Sequence, residues 1–152
     1  KMANRHGMIA GATGTGKTVI SAFDYQNFAR THTRSRILFT AHREEILRQS
    51  LNTYRSVLGD ANFGALWVGG CQPQDESEYE HLFVSISMLN SRFEEFFEKL
   101  DTGYYDYIVI DEAHHSQAES YRKLFRHFTP KILLGLTATP EPPAALQQTM
   151  MQ

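Results

Sequence analysis

Short apolar runs alternate along this chain with amphipathic stretches. "HGMIA" (6–10), "RILFT" (36–40), "FGALWV" (63–68), "HLFVSI" (81–86), "DYIVID" (106–111) and "KILLGLT" (131–137) read as strands. The run at 106–111 is apolar at successive positions rather than at alternate ones, which predicts a strand buried on both faces. Between these runs, 17–30 predicts a helix with Val19, Ile20, Phe23 and Phe28 on its apolar side. The segment 43–58 predicts another, with Ile46, Leu47, Leu51 and Tyr54 near helical spacing, and 87–100 and 120–128 also read as helical. "GGCQPQDESEYE" (69–80) is polar and turn-rich and reads as a surface loop. Strand and helix in regular alternation predict an α/β fold, a parallel sheet with helices on both faces.

Composition narrows this picture only a little. The chain has 152 residues, the size of one domain, and 41% apolar and 21% charged residues are ordinary for a globular protein. No apolar run approaches the roughly 20 residues that span a bilayer, so no membrane role is expected. The single cysteine, Cys71, favours a reducing compartment, and the expected location is cytoplasmic. A net charge of −2 gives no whole-domain basic footprint, although a local basic groove would not show in the sum. The basic residues Arg30, Arg34 and Arg36 read as a solvated loop. The ends read as those of an excised domain, with 1–140 as the folded unit and 141–152 as a tail.

The chemistry begins with "GATGTGKT" (11–18), placed between a strand and a helix. A triphosphate is strongly anionic and needs many donors converging on it. Glycines 14 and 16 let the backbone curl so that successive N–H groups face one point, and the following helix adds its positive end. Lys17 has the reach to meet outer phosphates, and the Thr18 hydroxyl suits Mg²⁺.

"VIDEAHH" (109–115) places Asp111 and Glu112 at the end of a buried strand, where open α/β sheets bind their ligands. An aspartate there suits a metal, and its neighbour suits proton abstraction from water. A zinc site at His114 and His115 is disfavoured, because adjacent side chains on a strand point apart and no second ligand cluster exists. "LGLTATP" (134–140) brings the hydroxyls of Thr137 and Thr139 to the same edge.

GATGTGKT, DEAH and TAT, in this order across one parallel α/β domain, resemble the first RecA-like P-loop NTPase domain of superfamily 2 helicases and translocases. "LFTAHREEILRQS" and "YIVIDEAHHSQAESYRKLF" are most similar to the branch that includes the helicase subunit of type III restriction enzymes. The resemblance implies that Thr13, Gly14, Thr15, Gly16, Lys17 and Thr18 bind the phosphates of ATP. It implies that Thr18 and Asp111 hold Mg²⁺, with Glu112 and Lys17 as the catalytic groups. His114, Thr137 and Thr139 would couple nucleotide to track. His42, Arg43 and Ser87, with Gly69-Gly70 nearby, would meet the phosphate backbone of nucleic acid, DNA being favoured over RNA. A second RecA-like domain, absent from this chain, would complete the motor by supplying arginines. The expected function is therefore ATP hydrolysis driving movement on nucleic acid, with little activity in this segment alone. The alternative is a nucleotide-dependent binding module that switches partners without productive turnover; an intact Glu112 argues against it.

Overall fold

The computed structural model describes residues 5–10, 14–111 and 119–137. Six strands, β1 (Arg5–Ala10), β2 (Ile37–Ala41), β3 (Ala65–Trp67), β4 (His81–Ser85), β5 (Tyr107–Asp111) and β6 (Ile132–Thr137), form one sheet in the order β1-β6-β5-β2-β4-β3. Every neighbouring pair is parallel. The helices are α1 (Gly14–Thr31), α2 (Glu44–Leu58), α3 (Ile86–Ser91) and α4 (Arg122–His127).

Side-chain alternation along the strands sorts the core into two layers. Ile37, Phe39, Phe83, Tyr107, Val109 and Leu134 point to one face, where Ala22, Tyr25 and Phe28 of α1 and Leu47, Leu51 and Tyr54 of α2 cover them. Leu38, Leu82, Val84, Ile108, Ile110 and Leu133 point to the other, under Leu89 of α3 and Leu124 of α4. All five residues of β2 and all five of β5 are buried, which is why their sequences read as continuous apolar runs. The covered sheet with helices on both faces is the architecture expected from the sequence. Among the described residues no helix is long and apolar enough to cross a membrane.

Loop chemistry closes the elements where propensity alone would not. α2 ends on Gly59 at φ 67°, a left-handed conformation in which its N–H returns to the carbonyls of Arg55 and Ser56. After β3 the chain reverses through Gly69-Gly70, with Gly70 at φ 84° and Val68 and Cys71 exchanging backbone hydrogen bonds of 2.9 and 3.0 Å. That reversal blunts an otherwise bare sheet edge. The loop expected at 69–80 also contains a 3₁₀ turn at Glu76–Glu80, held by a reciprocal cap between Asp75 and Glu78.

Two expectations need correcting. The helix expected over 87–100 is regular only as α3. Beyond it the backbone winds through turns, and Phe96 leaves helical geometry at φ −127°, ψ −59° before a 3₁₀ turn at Phe97–Lys99. This places the Phe96 ring 4.5 Å from Tyr79 and 5.3 Å from Trp67, while Phe93 and Phe97 enter the core, so aromatic packing overrides helix propensity. The supposed solvated loop at 34–36 is instead a clamp. Arg34 donates Nε to Oδ2 of Asp106 at 3.0 Å and Nη2 to Oδ1 at 2.7 Å. Arg36 lies with its guanidinium 4.2 Å from the centre of the Tyr104 ring.

Candidate functional site

In a parallel sheet every strand delivers its carboxyl end to one edge. Here the register sets Ala10 beside Thr137, Leu136 beside Asp111, Ile110 beside Thr40, Ala41 beside Ser85, and Val84 beside Trp67. The strand ends are therefore level, and those sequence-predicted site residues that are described lie along one line. That line divides into two halves.

The first half is built by β1, β6 and β5. α1 begins directly after β1 and carries Lys17 and Thr18 near its start, only 4% and 5% exposed. Asp111 ends β5 and is also 4% exposed. Four fully buried residues, Tyr107–Ile110, fix the strand that presents it, so the carboxylate is held by the core behind it. A single strand, β6, separates β1 from β5, and neighbouring strands spaced about 4.8 Å apart put the two strand ends roughly 10 Å from each other. Among the described residues no carboxylate forms an ion pair with Lys17. A buried ammonium in that position suits an anionic ligand, since a buried charge needs an opposite one. Gly14 and Thr15 open α1, Gly16 is exposed beside them, and Thr137 closes β6. Thr13, Glu112, His114 and Thr139 lie outside the described residues, as does the 141–152 tail.

The second half is built by β2, β4 and β3. His42 follows β2, half-buried, with its ring 6.3 Å from that of Tyr121 at 73°. Arg43 is exposed and stands at the N-cap of α2, where no side chain caps the helix. Ser85 caps α3, its Oγ accepting the Met88 N–H at 3.1 Å, and the exposed Ser87 hydroxyl lies 3.4 Å from it. The exposed Gly69-Gly70 turn follows β3. Thus His42, Arg43, Ser87 and the glycine pair leave three adjacent strands, while Asp111 ends the neighbouring β5 and Lys17 and Thr18 open α1.

The residues joining these halves escaped the sequence reading. Tyr54 of α2 is completely buried, and its hydroxyl lies 2.8 Å from Ser21 Oγ on α1. Ser21 donates its only hydroxyl proton to the Thr18 carbonyl at 2.7 Å, so Tyr54 is the donor in the first contact. Burial raises the Tyr54 hydroxyl far above a free phenol, outweighing its hydrogen bond with Ser21, and Tyr25, Asp24 and Asp111 add to the rise. It therefore stays protonated. The available signal was a tyrosine within an apolar helical stripe, whose hydroxyl needs a buried partner.

The comparisons agree with this geometry. Residues 1–142 match the family described as "Type III restriction enzyme, res subunit". A Saccharomyces cerevisiae protein named as an ATP-dependent helicase, IRC3, is 30% identical over 139 residues, covering 84% of this chain and 19% of that protein. The chain thus spans about a fifth of that relative's length. Among solved structures, the UvsW helicase of bacteriophage T4 superposes with a TM-score of 0.71 at 14% identity, covering 97% of this chain and 51% of that one. The type ISP restriction-modification enzyme LlaGI, solved with a DNA substrate mimic, gives a TM-score of 0.64 at 18% identity, covering 91% and 16%. The strand order, the level carboxyl edge and the matched sequence lead to one assignment: the chain belongs to the type III restriction enzyme res-subunit family, as a superfamily 2 RecA-like domain.

Proposed function

We propose that this domain is the ATP-binding half of a nucleic-acid-dependent ATPase, a helicase or translocase that hydrolyses ATP to ADP and phosphate to move along a strand. The observation that carries the reading is the pairing of buried Lys17 and Thr18, at the start of α1, with buried Asp111 on the same edge one strand away. Thr13 to Thr18 hold the phosphates of ATP, with Lys17 on the outer ones. Thr18 and Asp111 would hold magnesium, which would supply charge neutralisation on those phosphates when bound. Glu112 takes the proton from the attacking water. His114, Thr137 and Thr139 respond to the state of the nucleotide. His42, Arg43 and Ser87 face a phosphate backbone, with DNA as the preferred track. Contacts of that kind suit a motor, because a sequence-indifferent grip must fall on phosphates. Glu44 and Glu45 open α2 beside Arg43, so the strand is expected to approach through Arg43 and backbone donors rather than along the helix. A second RecA-like domain supplies the arginines that complete the transition-state site, and residues 1–152 alone bind Mg-nucleotide weakly and turn it over very slowly.

The test is Glu112→Gln in the full-length protein. ATP binding persists while DNA-stimulated hydrolysis falls about 10²–10⁴-fold, the range for loss of a positioned base. Hydrolysis at the wild-type rate would assign the base to another group, and turnover indifferent to DNA and RNA would remove the motor reading altogether.

A further inference from the structure

Helices α1 and α2 each begin at one half of the site. α1 carries Lys17 and Thr18 near its start, and α2 follows His42 and Arg43 directly. Their shared interface contains a short polar chain inside an apolar layer: Tyr54 Oη to Ser21 Oγ at 2.8 Å, then Ser21 Oγ to the Thr18 carbonyl at 2.7 Å. Both side chains are 0% exposed, so water cannot substitute for either contact. The Tyr54 ring is fixed by Phe39 at 5.7 Å, Phe83 at 5.4 Å and Tyr25 at 5.9 Å, which leaves the hydroxyl little freedom to follow a displaced serine.

We propose that Tyr54 and Ser21 are positioning residues that couple the two halves, transmitting the position of the phosphate-gripping turn at Thr18 to α2 and so to the strand-facing residues at its start. This rests on the functional reading above. The chain ends on the backbone of Thr18 itself, so a shift of that turn changes a buried hydrogen bond to α2. An unmade bond there is costly, and the two helices therefore favour moving together. A second buried tyrosine joins α1 to the sheet rather than to α2. Tyr107 Oη donates to Asp24 Oδ2 at 2.7 Å and lies 3.5 Å from the Ser21 carbonyl, tying α1 to β5 within the nucleotide half.

The full-length protein is titrated with a single-stranded DNA oligonucleotide, with and without a non-hydrolysable ATP analogue, and the ratio of the two DNA affinities is read. For the wild type a ratio of about fivefold or more is expected, the lower end of coupling between sites. Tyr54→Phe, which keeps the ring, lowers that ratio to less than half while DNA affinity without nucleotide and analogue affinity without DNA stay unchanged. Ser21→Ala gives the same loss, and the double variant adds nothing further, as expected for two members of one chain. Tyr107→Phe removes an equally well-made bond and keeps the wild-type ratio, which separates coupling from general loosening. A wild-type ratio in both Tyr54→Phe and Ser21→Ala overturns the proposal alone. A wild-type protein whose DNA affinity ignores the nucleotide overturns the functional reading, and this proposal with it.

Discussion

Strand β5 carries a buried aspartate near each end, one at the amino edge of the sheet and one at the carboxyl edge. Asp106, just before the strand, is 2% exposed and saturated with donors: Arg34 through two nitrogens, the Arg36 N–H at 2.9 Å and Lys131 Nζ at 3.4 Å. Its backbone carbonyl also takes the N–H groups of Lys131 and Ile132. It staples the amino-terminal edge of β2, β5 and β6, and it has no capacity left for a ligand. Asp111, at the carboxyl edge, is equally buried but ends its strand on the edge where α1 begins with Lys17 and Thr18. One strand thus carries a carboxylate that serves stability and another that the proposed function assigns to metal binding, though both are equally buried.

The comparison is sharpened first by removing the structural member. Asp106→Asn is expected to destabilise the domain by about 2 kcal/mol; the larger cost of breaking a fully buried pair is discounted because Arg34 and Lys131 are nearly half exposed. Thermal unfolding would show this as a fall in Tm of about 4–8 °C for a domain of this size, with nucleotide binding unchanged. The same carboxylate makes stability depend on acid. Burial alone would raise its pKa, but the Arg34 hydrogen bonds, the Arg36 N–H and the charges of Arg34 and Lys131 together hold it below the usual value. A depressed native pKa means that the stabilisation is complete above the unfolded value, about 3.9, and disappears as pH falls through the lower native one. The gap between wild type and Asp106→Asn should therefore narrow only below about pH 4, seen by denaturant unfolding at stepped pH. A gap that stayed constant to pH 2 would remove Asp106 from this role.

The smallest effect concerns the other half of the carboxyl edge. Arg43→Ala is expected to weaken DNA binding by a few-fold, equally across sequences, and to reduce the slope of log affinity against log salt by about 0.7 for a single strand. An unchanged slope would mean that Arg43 meets no phosphate.

Much of this division was legible before any coordinates. All six strands follow from short apolar runs, and β2 and β5 are buried throughout because a sheet covered on both faces leaves little room for polar residues. Lys17 and Asp111 stood out because phosphate and metal chemistry favour those residue types beside a strand end, and the structure buries both at the carboxyl edge. Asp106 was not, since its partners lie 72 and 25 residues away and only strand register brings them together. Arg34 consequently looked like a solvated charge. Tyr54 was read as core, which it is, yet its hydroxyl partner Ser21 is on another helix and invisible to periodicity. The irregular turn at 92–99 followed from rings of distant elements competing for one layer, which no local propensity encodes.

The central claim, that nucleotide sits between Lys17 and Asp111 at the carboxyl edge, is tested most directly by equilibrium binding of a fluorescent ATP analogue with and without Mg²⁺. Wild type and Asp106→Asn should bind it with the same Mg²⁺ dependence. Lys17→Ala should bind it at least about tenfold more weakly, and Asp111→Asn should lose the response to Mg²⁺. Wild-type binding and wild-type Mg²⁺ dependence in both Lys17→Ala and Asp111→Asn would contradict the account.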